Sequence, residues 1–325
     1  MMTAAAWGLG TALKSSAEVG SKPEAILSLI GNTPLLALPL PEALGGVRVF
    51  AKAEWYNPSG SVKARAALSM IRDAEASGRL KPGGTFLDAS SGNTAAAYGM
   101  IAAASGYRAM LCVPKNANPA IFSLLQAYGA TVIRTSPMEG SDGAIREARR
   151  LAAEHPEWVY LDQYNNPANR LAHERTTAEE IWAQSGGEVT HFVAGLGTTG
   201  TFIGTSARLK ALNPQLSAVA VQPASALHGL EGLKHLPTAI VPGIYDDSIP
   251  DETLFISTED AYDSLAWLAR HAGIAVGPSS GAAYAACLQL ARRLARRPAA
   301  SEAYIVTVFP DAGERYIAEG LIGRS

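Results

Sequence analysis

The run Asn57-Pro58-Ser59-Gly60-Ser61-Val62-Lys63 carries the residue best suited to chemistry in this sequence. A turn rich in proline, serine and glycine delivers Lys63 to the start of an alanine-rich helical segment. A lysine held there against a pocket is poorly solvated, which is what an amine needs to form a Schiff base with an aldehyde. An ordinary solvated lysine near a helix start is the alternative, and this run alone does not separate the two.

Two further loops combine small residues in a pattern that favours anions. Ser90-Ser91-Gly92-Asn93-Thr94 precedes a helical segment, where free backbone N–H groups bind a carboxylate or phosphate. Helix capping alone explains the same residues equally well. Gly195-Leu196-Gly197-Thr198-Thr199-Gly200-Thr201 matches the G-x-G-x-x-G dinucleotide pattern, but the acid expected about 20 positions later is missing, since the next strand ends at Val221-Gln222-Pro223. This second loop therefore suits a single phosphate monoester.

A lysine that forms an imine and a cradle for one phosphate together describe a pyridoxal 5′-phosphate site. The chain resembles the cysteine synthase (O-acetylserine sulfhydrylase) and cystathionine β-synthase family of fold-type II, tryptophan synthase β-like enzymes. The segments that carry the resemblance follow the family's order and are Gly31 to Leu35, Asn57 to Lys63, Ser90 to Thr94, Asp162 to Asn169, Gly197 to Thr201, Gly277 to Gly281 and Val308 to Asp311. The resemblance spans about residues 26 to 316 and implies that pyridoxal 5′-phosphate is the cofactor.

The resemblance also implies a role for each candidate residue. Lys63 would form the internal aldimine and later remove the substrate's α-proton. Asn93 would hydrogen-bond the cofactor's 3′ oxygen, and Ser279, rather than Ser280, would face the pyridine nitrogen. The phosphate would be held by Gly197, Thr198, Thr199, Gly200 and Thr201, and the substrate would be bound by Ser90, Ser91, Gly92, Thr94 and Gln163. No metal is expected in the site.

Ser279 narrows the reaction class. A hydroxyl, unlike a carboxylate, does not stabilise a protonated pyridinium, so the ring is a weaker electron sink and loss of a β-substituent is favoured over a long-lived carbanion. The implied activity is β-replacement on an O-activated serine, with O-acetylserine and sulfide giving L-cysteine through an α-aminoacrylate. The stretch Gln222 to Gly232 has no arginine for a substrate phosphate, which favours a donor with a neutral leaving group.

Several alternatives stay open. Ala64 stands where the family usually has aspartate, and Pro278 stands where it usually has an aliphatic residue. Both departures motivate a specialised enzyme that uses another donor or nucleophile, such as O-phosphoserine, thiosulfate, homocysteine or an amine. A serine or threonine dehydratase and a non-catalytic protein on the same scaffold are the other hypotheses.

Short β-rich runs alternate with helical segments along most of the chain, which predicts an α/β fold with mainly parallel sheets. Ligands in such sheets bind beyond the carboxyl ends of strands, where the three loops fall. The resemblance implies two three-layer αβα domains with the cofactor in the cleft between them. We expect a large cofactor-binding domain of residues 23–56 plus 166–325, a smaller mobile domain of residues 57–165 and a loose tail at 1–22.

The predicted element bounds follow from the same periodicity. Strands are predicted at 47–52, 85–89, 110–113, 131–134, 159–161, 191–194, 218–221 and 304–309. Helices are predicted at 62–75, 94–104, 121–128, 144–153, 176–182, 200–212, 260–271 and 282–296.

Composition limits the partners. The chain has 325 residues and a net charge of −2 with no basic block, which argues against nucleic acid or an anionic membrane surface. Cys112 and Cys287 stand in separate apolar contexts, which indicates buried free thiols and fits a reducing cytoplasm. No apolar stretch is long enough to span a membrane. The expected partners are a small amino-acid substrate, a sulfur nucleophile and, by resemblance, a second copy of the chain; a serine acetyltransferase or a sulfur carrier stays open.

Overall fold

The computed structural model describes residues 25–90, 92–298 and 300–317, so the expected tail at 1–22 lies outside the described residues. In chain order the strands are β1 (Leu35–Ala37), β2 (Arg48–Ala53), β3 (Thr85–Ala89), β4 (Arg108–Pro114), β5 (Thr131–Thr135), β6 (Val159–Tyr160), β7 (His191–Gly195), β8 (Ser217–Pro223), β9 (Glu252–Ile256) and β10 (Tyr304–Phe309). The helices are α1 (Lys63–Ala76), α2 (Asn93–Ser105), α3 (Pro119–Ala127), α4 (Gly140–Glu154), α5 (Pro167–Ala172), α6 (Ala178–Gln184), α7 (Gly200–Leu212), α8 (Thr258–Ala272), α9 (Pro278–Leu294) and α10 (Glu314–Ile317).

The strands form two sheets. One has the order β1-β2-β10-β7-β8-β9 and is parallel except for the pairing of β1 with β2. The other has the order β5-β4-β3-β6 and is parallel throughout. The α/β fold with mainly parallel sheets is therefore confirmed. The strands of the second sheet all fall within 85–160, which agrees with the expected small domain, whereas the domain bounds themselves stay a prediction.

Each sheet carries helices on both faces. In the larger sheet Val193 packs towards α8 and α9, while its neighbour Ala194 packs towards α6 and α7. In the smaller sheet Leu111 packs against α1, α2 and α3, whereas Cys112 faces α4. Successive strand residues point to opposite faces, so both faces need apolar side chains. The result is two three-layer αβα units, and Cys112 and Cys287 are buried free thiols as predicted.

Most predicted elements are present, and the differences have local causes. Two strands were not predicted: β1 is only three residues long, and β9 begins with a charged residue and is half-exposed over most of its length. The helix predicted at 176–182 is the end of a longer helical stretch, in which α5 and α6 are joined by a π-helical turn at His173–Thr177. Helix α9 begins at Pro278 rather than near 282, because proline suits a first helical turn, where its missing N–H is not needed.

No described helix has both the length and the apolar character that crossing a membrane requires.

The turn before α1 is fixed by backbone contacts with the end of β10. Gly60 has a φ of +76°, a conformation that side chains with a Cβ disfavour, and it closes the turn. Val62 then donates its N–H to the carbonyl of Pro310 at 2.8 Å, and Ser61 forms a β-bridge with Asp311. Lys63 is consequently the first residue of α1 and lies beside the carboxyl end of a central strand.

A cluster of buried charged side chains, formed by Lys52, Glu54, Arg65 and Glu180, stabilises this turn. Arg65 binds Glu54 at 2.8 Å and Glu180 at 2.6 Å, and Lys52 binds Glu180 at 2.6 Å. Burial alone would raise the pKa of Glu180, but hydrogen bonds and charges from Arg65 and Lys52 lower it to about 2. Glu54 also accepts a hydrogen bond from the side chain of Asn57 at 2.8 Å. The cluster thus ties α1, α6 and β2 to the turn that presents Lys63.

Replacing Glu54 by alanine tests this support. The substitution leaves part of the charge of Arg65 buried without its partner, so we expect the free energy of unfolding to fall by roughly 3–5 kcal/mol. Asp73→Ala is the matched control, because the Asp73–Arg79 pair is about half-exposed at 52% and 46% and should contribute less than about 1 kcal/mol. Urea denaturation of the two variants measures both values, and equal losses would contradict a special role for the cluster.

Candidate active site

One cavity gathers most of the residues that the sequence singles out. It opens at the carboxyl ends of strands from both sheets, the position that parallel sheets offer to ligands. The predicted site residues that line it are Lys63, Ser90, Gly92, Asn93, Thr94, Gln163, Gly197, Thr198, Thr199, Thr201 and Ser279. Gly200 does not line it, and Ser91 lies outside the described residues.

Lys63 is half-buried, with its side chain along the cavity wall. Burial lowers the pKa of its amine below the usual 10.5, and the negative charges of Asp311 and Glu54 oppose this shift without cancelling it. A larger share of neutral amine is therefore present near neutral pH, and the neutral form is the nucleophile and the base. The next residue, Ala64, is completely buried and carries no charge. The carboxylate with the largest effect on the pKa of Lys63 therefore belongs to Asp311, which is distant in the sequence.

The glycine- and threonine-rich loop ends at the first turn of α7. Thr199 precedes that helix with a φ of +71°, and its hydroxyl is buried without a hydrogen-bond partner among the described residues. Thr198 accepts a hydrogen bond from Asn169 at 3.2 Å, and Thr201 lies 3.2 Å from a ring nitrogen of His173. A strained backbone, an unpaired hydroxyl and the free N–H groups of a long helix form a cradle for an anion.

Two glycines in this loop are needed for packing. A Cβ at Gly197 would overlap the carbonyl of Gly232, and a Cβ at Gly200 would overlap the side-chain oxygen of Asn169. Gly200 therefore acts by letting α7 approach Asn169, although it does not line the cavity.

His173 was not predicted from the sequence to have any role. It is buried on the π-helical turn and its ring nitrogens lie 2.9 Å from Thr177 and 3.2 Å from Thr201. Burial, with the positive charges of Arg65 and Lys63, lowers its pKa well below 6.5. A neutral imidazole can accept a hydrogen bond from Thr201 and so orient that hydroxyl.

The loop before α2 forms another part of the cavity wall. Asn93 donates from Nδ2 to Asp311 at 2.6 Å, and Thr94 donates to the side chain of Gln163 at 2.9 Å. Ser90 accepts from the N–H groups of Gly92 and Ala95 at 3.3 and 3.1 Å, so its hydroxyl caps the helix. The first turn of α2 thus presents its N-terminus to the cavity between polar side chains, which suits a carboxylate.

Ser279 lies on the first turn of α9 and lines the cavity, 5% exposed. Ser280 is fully buried and does not line the cavity. That Ser279 faces the pyridine nitrogen stays a prediction. Pro278 occupies the first position of the helix, where proline is favoured because its missing N–H is not needed.

Comparison with known proteins identifies the family. A family profile described as "Pyridoxal-phosphate dependent enzyme" matches residues 26–311. The chain belongs to this family. It is 50% identical to a cysteine synthase of Aquifex aeolicus over 92% of each chain, and 42% identical to cysteine synthase B of Escherichia coli over 90% of this chain and 94% of that one.

Solved structures agree. A cysteine synthase from Entamoeba histolytica superimposes with a TM-score of 0.86 at 32% identity, covering 97% of this chain and 95% of that one. An O-ureido-L-serine synthase gives a TM-score of 0.84 at 37% identity, covering 91% and 94%. The resemblance, the fold type and the dependence on pyridoxal phosphate expected from the sequence are confirmed.

The residues of this pyridoxal-phosphate-dependent enzyme fit the cofactor. The unpaired hydroxyl of Thr199 and the start of α7 offer donors for a phosphate, and Lys63 offers an amine in the same cavity. Asn93 and Ser279 line that cavity too. The donor set therefore matches an aldehyde-bearing ring with one phosphate.

Sequence reasoning missed several residues of the cavity wall. Asp311 and Lys234 line it, and Lys234 pairs with Asp142 at 3.0 Å and lies 5.2 Å from the ring centre of Tyr164. Asp311 immediately follows a buried strand of the larger sheet, which is the signal that could have found it. Lys234 lies in a loop without such a signal.

The lowered pKa of Lys63 predicts how the stability of the cofactor-free protein depends on pH. The amine loses its proton more readily in the folded state than in the unfolded chain. Between the folded and the unfolded pKa of Lys63 the unfolded chain therefore binds more protons, so this group's contribution to the free energy of unfolding rises as pH increases through that window. Lys63→Met removes the buried amine. We expect this variant to melt above the cofactor-free wild type at neutral pH, with the gap narrowing towards pH 10.5. A gap that stays constant with pH would contradict the shift.

Proposed function

We propose that this chain is a cysteine synthase, which performs β-replacement on O-acetylserine with sulfide to give L-cysteine. The observation that carries the proposal is that Lys63, with its lowered pKa, lines one cavity with the N-termini of two helices, α2 and α7. Two helix N-termini in a cavity that also holds an amine suit a phosphate on the cofactor and a carboxylate on an amino acid. Relatives named cysteine synthase, up to 50% identical over most of the chain, support the assignment.

The residues divide the work by their chemistry. Bound pyridoxal 5′-phosphate supplies an aldehyde that links to amines and a ring that withdraws electrons from the substrate's Cα. Lys63 would accept the proton from Cα on Nζ and later return it, and the lowered pKa of its amine raises the share of the neutral form that can do so. Backbone N–H groups at the start of α7 and the hydroxyl of Thr199 would hold the phosphate.

The substrate carboxylate binds at the start of α2. The hydroxyl hydrogen of Thr94 is directed to Gln163, and Gln163 is in turn held by a hydrogen bond to the carbonyl of Ala89, so this wall is preorganised. A carboxylate placed there accepts from free N–H groups at a helix N-terminus, where negative charge is stabilised. Holding the amino acid at this end keeps its Cα in the cavity that Lys63 lines.

Ser279 affects which reaction of the bound substrate is favoured. A serine hydroxyl beside the pyridine nitrogen does not favour its protonation, so electron withdrawal is modest and departure of a β-substituent competes well. This property favours β-elimination and replacement over reactions that need a persistent carbanion. A dehydratase would share the elimination step, but the relatives named as cysteine synthases favour replacement.

The charge of Lys234 in the cavity wall indicates which activated serine is the donor. Lys234 is a cation that a substrate phosphate would need, but its charge is balanced by Asp142 at 3.0 Å. A neutral acetyl ester requires no such partner, so we infer that O-acetylserine is the donor. A relative from Bacillus subtilis that is 38% identical is named an O-acetylserine dependent cystathionine β-synthase, which supports this donor. A homodimer and a cytoplasmic location stay predictions of the sequence.

Lys63→Ala tests the function directly. The variant lacks both the amine that binds the aldehyde and the base that takes the α-proton, so we expect the visible absorbance of the bound cofactor to be lost and cysteine formation to fall by more than roughly a hundredfold. Lys115→Ala, which removes an exposed lysine in the loop after β4, should retain both. Turnover of Lys63→Ala at the wild-type rate would rule out the assigned role.

A donor panel tests the substrate. We expect kcat/KM with sulfide to be higher for O-acetylserine than for O-phosphoserine, because the charge of Lys234 is already neutralised. Asp142→Asn frees that charge and should shift the ratio towards O-phosphoserine. Cysteine assays with both donors measure the ratio in wild type and variant. A wild-type preference for O-phosphoserine, or 2-oxo acid release from serine without any nucleophile, would contradict the proposed reaction.

A further inference from the structure

Asp311 is a buried carboxylate in the cavity wall whose hydrogen bonds lead away from Lys63. It directly follows β10, is 1% exposed and lines the same cavity as Lys63. Its backbone joins two site loops, because it forms a β-bridge with Ser61 and its carbonyl accepts from the N–H of Gly277 at 3.2 Å. A charged group is rarely buried so completely unless it has specific partners.

The partners of the carboxylate lie on one side. Oδ2 accepts a hydrogen bond from Nδ2 of Asn93 at 2.6 Å and another from the hydroxyl of Tyr316 at 2.7 Å. Oδ1 has no hydrogen-bond partner among the described residues. The side-chain hydrogen bonds of Asp311 therefore go to Asn93 and to Tyr316 in the helical turn that follows.

Arg315 holds the other end of the same amide. Its Nη1 donates to Oδ1 of Asn93, and its Nη2 donates to the carbonyl of Ser59 at 2.9 Å. With a carboxylate on its nitrogen and a guanidinium on its oxygen, the amide has one favourable orientation. Rotating it by half a turn would set its oxygen against Asp311 and its NH₂ group against Arg315, and both contacts would be repulsive.

We propose that Asp311 and Arg315 are positioning residues that hold the Asn93 amide with its second N–H directed at the ring oxygen of pyridoxal 5′-phosphate. The amide nitrogen carries two hydrogens, and Asp311 takes only one of them. The inference rests on the proposed function, since it needs the cofactor in this cavity. It adds Asp311 and Arg315 as residues that act on the cofactor through Asn93.

Asp311 also acts on the pKa of Lys63 through its charge, and the experiment must distinguish this effect from the orientation of the Asn93 amide. Asp311→Asn removes the charge but keeps an oxygen that accepts from both Asn93 and Tyr316. Asp311→Ala removes charge and acceptor together. If orientation is the role, the asparagine variant behaves like the wild type in cofactor binding and the alanine variant does not.

The test titrates cofactor-free protein with pyridoxal 5′-phosphate and records the dissociation constant and the visible absorbance maximum. We expect Asp311→Ala to bind at least about tenfold more weakly and to shift the maximum, because a hydrogen bond that fixes the amide is lost. Arg315→Met should show the same two changes. Arg315 is half-buried and its replacement leaves Asp311 in place, so this variant provides the test if Asp311→Ala does not fold. Tyr316→Phe, which leaves the Asn93 contacts intact, is the control and should match the wild type, as should Asp311→Asn.

Two results would overturn the inference. One is that Asp311→Ala and Arg315→Met both keep the wild-type dissociation constant and spectrum. The other is that Asp311→Asn is as impaired as Asp311→Ala, which would assign the effect to charge. A wild-type protein that fails to bind the cofactor is a different result, which would overturn the proposed function and the inference with it.

Discussion

Lys63 has to meet two opposing demands, and the rest of the structure follows from them. The amine must be desolvated enough to favour its neutral form, yet it must stay open to a cavity. The first residue of α1 satisfies both, because the helix packs around its backbone while the side chain lines the cavity wall. The buried charges around Arg65 and the hydrogen bond from Val62 to Pro310 keep that residue in place.

Charge around the cavity is arranged by the parallel sheets. Because their strands end at one side, the helices that follow begin there, and the N-termini of α2 and α7 bring partial positive charge to the site. Asp311 supplies the balancing negative charge from the end of β10 and faces Lys63, Arg315 and the hydroxyl of Tyr316. The site therefore suits a phosphate and a carboxylate, while burial lowers the pKa of the Lys63 amine against the opposing charge of Asp311.

The sequence predicted those parts of the site that depend on local signals. Lys63, the loop before α2 and the loop before α7 each combine turn residues with a strand before or a helix after, and all were identified. Contacts between distant segments left no such signal: Asn93 and Asp311 are 218 positions apart, and Arg65 meets Glu180 across 115. The strands β1 and β9 were missed because a three-residue strand and a half-exposed edge strand show too little periodicity.

The central claim is that pyridoxal 5′-phosphate is bound covalently by Lys63 in this cavity. Borohydride reduction of the cofactor-loaded protein, followed by peptide mapping, tests it most directly, because reduction makes the link between amine and cofactor permanent. We expect the pyridoxyl group on the peptide that contains Lys63, and its loss when O-acetylserine is added before the reduction. A label on Lys234 or Lys52 instead, or a protein that carries no label, would contradict the account.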